Sequence, residues 1–170
     1  EPRLRKRRAR QPGQAPDLLL TWNAVEISRR RHADTAFSPA SPTVAAPIVL
    51  VGQGATIRQY DAVTGSDLGI FASGFSFTGG IGYDDANQFV YAADFNANVV
   101  RKYTPTGTFL GNFGSGYTNP EGVAVDLAGN VYVSNYGANT VTLYNPAGTL
   151  LSTLSIGGPP EGLDFASNGD

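Results

Sequence analysis

From position 48 onward the apolar residues fall in short runs separated by turn-forming residues, not in a helical rhythm. The clearest stretch holds four such runs: GVAV at 122–125, NVYVSN at 130–135, TVTLY at 140–144 and TLLSTL at 149–154. Each has the length and the β-branched and aromatic content of a strand. Between the first two lies Asp126-Leu127-Ala128-Gly129-Asn130, and between the last two Asn145-Pro146-Ala147-Gly148. In the latter, Pro suits the second position of a type I turn, and Gly can take the left-handed conformation that returns the chain into the next strand. Thr104-Pro105-Thr106-Gly107 repeats the device, so the pattern predicts an antiparallel meander.

The same runs separate inside from outside. The first two strands of a copy (GVAV, FVYAA, VYV) are almost continuously apolar or small, which predicts burial on both faces. The third carries Arg58 and Gln59 in one copy and Arg101 and Lys102 in the next, which places it near a rim with packed stems and wet charges.

The meander recurs. Pro120-Glu121-Gly122 returns as Pro160-Glu161-Gly162, a shift of 40, while Val90-Tyr91, Asp94, Asn98, Tyr103 and Gly107 return at a shift of 41 as Val131-Tyr132, Asn135, Asn139, Tyr144 and Gly148. An earlier copy begins in Ile57-Arg58-Gln59-Tyr60, matching Val100-Arg101-Lys102-Tyr103. A period near 41 is that of a four-stranded propeller blade. Three strands in the first copy (48–51, 56–60 and 67–72), eight in two full copies and one at 162–166 make twelve. The fold class is therefore all-β: a partial β-propeller of about three four-stranded antiparallel blades, where a closed ring usually needs about four to eight. Two arrangements meet this shortfall: the missing blades belong to a longer form of the same chain, or a second copy completes the ring by exchanging strands.

PEGVAVDLAGNVYVSNYGANTVTLYNPAGTLLSTL resembles an NHL-type β-propeller repeat, a group related to the gluconolactonase-like six-bladed propellers. The resemblance covers about 48–170 and rests on a glycine-led inner strand ending in Asp, a Gly-Asn turn and a late x-Pro-x-Gly turn. It implies a fold; the activities of the wider group run from scaffolds to lactonases and lyases.

Charge divides the chain. Residues 1–31 hold nine of the twelve basic side chains and three acids, whereas 32–170 hold three basic residues against eleven acids. With RLRKRRAR at 3–10 and SPASPTVAAP at 38–47, residues 1–47 read as a basic, Pro/Ala/Ser-rich disordered leader or linker ahead of blades spanning 48–170, with a short helix over 17–31 as the one element expected there. Such a leader is either unstructured or binds nucleic acid or an acidic membrane; the acidic repeats argue against nucleic acid for the propeller itself. The chain begins at Glu1, so a start processed away or lying upstream is expected. No run of about 18 apolar residues exists to span a membrane. The absence of Cys removes disulfides, thiol nucleophiles and Cys-based zinc sites, and a single His, His32, argues against a His-rich metal site or a His-based triad.

In an up-and-down blade the inter-blade loops share a face with the turns between second and third strands. That face gathers the candidate ligand-binding residues Asp94, Asn96, Asn98, Glu121, Asn135, Tyr136, Asn139 and Glu161. Glu121 and Glu161 head inner strands near the channel mouth, as a carboxylate pair or as loop acids. Asp94-x-Asn96-x-Asn98 imitates the start of a calcium loop but lacks its glycine and late bidentate Glu, so an Asx turn is expected. Asp84 and Asp126 are expected to serve hairpin turns, and Phe95, Tyr117 and Tyr136 could stack on a sugar or an aromatic group. The leading functional expectation is a noncatalytic binding or scaffold module with a protein or carbohydrate ligand, no catalytic residue and no cofactor. The resemblance also implies an alternative: a lactonase-like enzyme whose divalent metal is held by Glu121 or Glu161 with Asn135 or Asp94. A lyase is disfavoured because the repeats lack histidine. Through the same resemblance, a Gly/Asn/Thr/Tyr-rich, lysine-poor propeller points to an extracytoplasmic or secreted location.

Overall fold

The computed structural model describes residues 47–166. The expected basic leader and its short helix lie outside the described residues but for Pro47, whose carbonyl accepts from Ala62 N at 2.8 Å. Among the described residues eleven strands form three antiparallel sheets. The first contains β1 (Ile48–Gln53), β2 (Thr56–Asp61) and β3 (Asp67–Ser73). The second contains β4 (Thr78–Asp84), β5 (Phe89–Asp94), β6 (Val99–Tyr103) and β7 (Phe109–Phe113). The third contains β8 (Pro120–Val125), β9 (Val131–Asn135), β10 (Thr140–Tyr144) and β11 (Leu150–Ser155), with one 3-10 turn at Tyr136–Ala138. Each sheet is a meander in sequence order, as the turn chemistry predicts. Among the described residues no helix is long and apolar enough to cross a membrane.

The turns close as expected. Gly107 and Gly148 have φ of 88° and 82°, and their N–H groups donate to Thr104 O and Asn145 O at 3.0 and 2.9 Å. Asp84 accepts from Asn87, and Asp126 from Ala128 N and from both nitrogens of Asn130.

Successive side chains of a strand point to opposite faces, and β5 uses both. Val90 and Ala92 enter a cluster with Ile57, Phe71, Phe75 and Tyr103, between the first and second sheets. Tyr91 and Ala93 enter another with Val100, Phe113, Val123, Val133 and Tyr144, between the second and third. An uninterrupted apolar strand is thus what a middle blade needs. Where inner strands meet, side chains are excluded: a Cβ on Gly80 would lie 2.8 Å from Glu121 O and 2.9 Å from Gly122 Cα. Gly122 is approached in the same way by Glu161 O and Leu163 N, at 2.8 and 2.9 Å.

Three expectations are corrected. Residues 162–166 do not form a strand, although 161–163 run beside Gly122 as β8 runs beside Gly80; no described second strand lies alongside to receive their hydrogen bonds. The cations of β6 are half-buried and their charges are engaged within the fold rather than left free in water. Arg101 pairs with Asp94 at 2.6 Å and lies over the Phe75 ring, while Lys102 Nζ sits 3.7 Å from the Phe89 ring centroid. Burial lowers the Lys102 pKa against the opposing pull of Asp84. Tyr117 is not available for stacking: it is buried, its hydroxyl donating to Phe113 O at 2.9 Å and its ring packed on Tyr144.

Candidate functional site

The expected face is built from residues 74–77 ahead of β4, 95–98 between β5 and β6, 114–119 between β7 and β8, 136–139 between β9 and β10, and 156–161 after β11. Backbone bonds confirm that these segments share one end of the sheets: Phe95 N donates to Phe77 O at 2.9 Å, Tyr136 N to Asn119 O at 3.0 Å, and Ile156 N to Asn139 O at 2.8 Å.

Nearest the inner strands stand the two glutamates. Glu121 is the second residue of β8 and half-buried; its carboxyl pKa is raised, first by burial and then by the charge of Glu161. Glu161 is exposed, and its backbone carbonyl accepts from Ser134 Oγ at 2.5 Å, while that oxygen accepts from Gly122 N at 2.6 Å. The pair therefore forms one acidic arc held by Ser134.

Asp94 and Asn135 close the ends of β5 and β9 and both turn into the fold. Asp94 is fully buried; it accepts from Ser76 N at 3.1 and 3.2 Å, from Phe77 N at 3.3 Å, from Ser76 Oγ, and from Arg101 Nη2 at 2.6 Å. Burial by itself would raise its pKa, but the Ser76, Phe77 and Arg101 donors together outweigh this and hold it below the ordinary value. Asn135 does the same one repeat later: its Oδ1 accepts from Thr118 N at 3.2 Å, and its Nδ2 donates to Thr142 Oγ1 at 3.0 Å. The charged pair Asp94–Arg101 of one blade is the amide–hydroxyl pair Asn135–Thr142 of the next. Each clamps the segment entering an inner strand to the far end of the second strand. The expected Asx turn at Asp94 is thereby replaced by a long-range clamp, because donors 17 and 18 residues away are better placed than those of its own turn.

The outer part of the face carries no formal charge. Asn96 is exposed on its turn; Asn98 and Asn139, at φ of 55° and 54°, hold equivalent left-handed positions. Asn98 Oδ1 accepts from Asn119 N at 2.7 Å. The Tyr136 ring lies 5.9 Å from Phe95, which lies 6.2 Å from Phe77. The structure thus brings Glu121 with Glu161, and Tyr136 with the asparagine turns, but withdraws Asp94 and Asn135 into clamps. Phe77, Ser76 and Ser134 escaped sequence reasoning. The one signal for them was their place beside an inner strand or at its mouth, in register with Thr118 and Ala93 of the neighbouring copies.

The donor set does not complete a cation shell. Among the described residues no three of His, Cys, Asp and Glu converge, and the side-chain oxygens of Asp94 and Asn135 already accept internal hydrogen bonds.

Similarity to known proteins agrees with this architecture. No curated protein sequence matches the chain. Among solved structures, a calcium-binding protein, regucalcin, from Agrobacterium tumefaciens superposes with a TM-score of 0.53 at 16% identity, over 66% of this chain and 43% of that one. A gluconolactonase from Xanthomonas campestris gives 0.55 at 16% identity, over 75% and 40%. A luciferin-regenerating enzyme gives 0.53 at 17% identity, over 66% and 41%. The chain thus spans less than half the length of these structures, and at such identity they show the fold alone. The relationship found is to the gluconolactonase-like side of the expected group, and nothing in it supports the narrower NHL label. The model of the SMP-30/Gluconolactonase/LRE-like region matches residues 49–160, which is most of the chain and nearly all of the three sheets, so the chain belongs to that family.

Proposed function

We propose that this chain is a noncatalytic binding segment of a gluconolactonase- and regucalcin-like propeller, taking its ligand on the face that carries Glu121, Glu161 and the asparagine turns. Further blades, from a longer chain or from a second copy, complete the ring in this reading. The observation that carries it is the fate of the candidate ligands. Asp94 and Asn135 have their side-chain oxygens bound within the fold, which leaves Glu121 and Glu161 on a single arc. Calcium takes about six to eight oxygen ligands, so two carboxylates from one side leave solvent to supply the rest. The test is calorimetric titration of the chain with calcium, zinc and magnesium, followed by lactone hydrolysis with and without a chelator. Millimolar or weaker binding and no chelator-sensitive turnover are expected. Micromolar binding abolished by Glu121→Gln, or turnover that a chelator stops, would sink the reading.

That second outcome belongs to the lactonase-like alternative, which one observation favours. Glu121 is partly stripped of water and held beside a second carboxylate, an arrangement that a bound cation would relieve. The fold and family are compatible with both readings.

A further inference from the structure

The three rings Phe77, Phe95 and Tyr136 form a row across loops from different blades. Phe77 meets Phe95 at an interplanar angle of 74° and Phe95 meets Tyr136 at 57°. The outer two are half exposed, Phe77 at 48% and Tyr136 at 40%, while Phe95 between them is more covered and props both. A core explanation fails for the outer rings, because neither belongs to either buried cluster.

The row is fixed before any ligand arrives. Phe95 N is bonded to Phe77 O at 2.9 Å, Asn119 Nδ2 reaches Phe95 O at 3.4 Å, and Asn119 O receives Tyr136 N at 3.0 Å. Asn119 itself is held in the left-handed region, at φ 48°, by Asn98. Gly137 lets the loops close, since a Cβ there would lie 2.6 Å from Asn119 Oδ1. A preformed surface spares the ordering cost of binding.

Charge identifies the class of ligand. The segments 74–78 (GFSFT), 95–98 (FNAN), 114–119 (GSGYTN) and 136–139 (YGAN) contain no Asp, Glu, Lys or Arg. Among the described residues, the cation beside the row, Arg101, is committed to Asp94 and to Gly74 O. What remains around the rings is amide and hydroxyl, from Asn96, Asn98, Asn139 and Thr118. These groups donate and accept alike, as sugar hydroxyls do. Aromatic faces complement the C–H faces of pyranose rings; because the rings meet at 74° and 57° they form a twisted surface, and two exposed outer rings separated by Phe95 suit a chain of sugar units better than one isolated small molecule.

We propose that Phe77, Phe95 and Tyr136, flanked by Asn96, Asn98 and Asn139, are a stacking strip for a neutral oligosaccharide. The inference names the ligand class for the binding role proposed above, and it fails or stands separately from it. Loss of sugar binding would leave the metal titration unchanged, and chelator-sensitive turnover would leave the strip intact.

The experiment is calorimetric titration of the full chain with cellohexaose, laminarihexaose and chitohexaose, with an oligogalacturonate of similar length as the anionic control. At least one neutral hexasaccharide should bind saturably below about ten millimolar. Phe77→Ala and Tyr136→Ala should each weaken it by about fivefold or more. Leu127→Ala, at a fully exposed position in the β8–β9 turn at the opposite end of the sheets, should not change it. Far-ultraviolet circular dichroism of both alanine variants should match the parent, since the replaced rings are half exposed; Phe77→Leu and Tyr136→Leu, which keep apolar bulk without a ring, serve if either alanine variant misfolds. No binding across the neutral panel, binding indifferent to both ring replacements, or binding of the oligogalacturonate alone would overturn the proposal.

Discussion

Replacing Asp94 with Asn is the sharpest perturbation available, because it changes one atom type in a fully buried clamp. The substitution removes the charge that faces Arg101 at 2.6 Å and turns one accepting oxygen into a donor beside the N–H groups of Ser76 and Phe77. Breaking a buried ion pair from one side costs about 3–5 kcal/mol. Two features place this pair at the lower end. The Arg101 side chain is 22% exposed and can recruit water, and its Nη2 keeps a bond to Gly74 O at 2.8 Å. About 3 kcal/mol is therefore expected, a large share of the roughly 5–15 kcal/mol that holds a typical domain. Urea unfolding at neutral pH, followed by circular dichroism, measures it. Arg101→Met and the double variant complete a cycle whose coupling should reach at least about 1 kcal/mol. The pH dependence gives an independent check. The folded-state pKa of Asp94 lies below its ordinary 3.8, so its contribution is present above the unfolded value and is lost as pH falls through the folded one. The gap between parent and Asp94→Asn should therefore close in acid. A variant within about 0.5 kcal/mol of the parent at neutral pH, or single effects that simply add, would refute the clamp and return Asp94 to the candidate ligands.

Gly80→Ala should cost about 2 kcal/mol in the same unfolding assay, because the added methyl meets the β8 backbone on three sides and only a sheet displacement can relieve it. Gly162→Ala, with nothing within 4 Å of its would-be Cβ, is the matched control and should fall within about 0.5 kcal/mol. For Glu121 the sign runs opposite to Asp94. Its folded pKa is raised above 4.5, so the parent gains stability as pH falls through that raised value, and Glu121→Gln should be the more stable protein at neutral pH with an advantage that shrinks in acid. Melting temperatures between neutral pH and about pH 4 check this; a glutamine variant less stable at neutral pH would contradict the burial of Glu121.

Much of the architecture was legible because it is written locally. The four runs at 122–125, 130–135, 140–144 and 149–154 became β8 to β11 within two residues at each end, since strand length, period-2 burial and Pro/Gly turn chemistry act within a few residues of one another. The unbroken apolar run of β5 announced burial on both faces, and Val90 and Tyr91 enter opposite clusters. Local pattern also misled. The run at 162–166 has strand composition, but a strand exists only where a neighbour takes its hydrogen bonds.

The repeat, the meander, the turn residues and the face on which the loops gather follow from chemistry local to each stretch of chain. What the polar residues of that face do depends on the blades packed around them. Asp94 and Asn135 read alike with Asn96 and Asn139 as exposed loop ligands, yet the first two are buried and the last two exposed. Lys102 read as a rim cation and lies against three aromatic rings. Phe77 had only its place at the mouth of an inner strand to mark it, and it heads the aromatic row. The reason is one of range: backbone conformation answers to neighbours a few residues away, whereas a side chain is occupied or available according to donors, acceptors and rings that other blades bring to it.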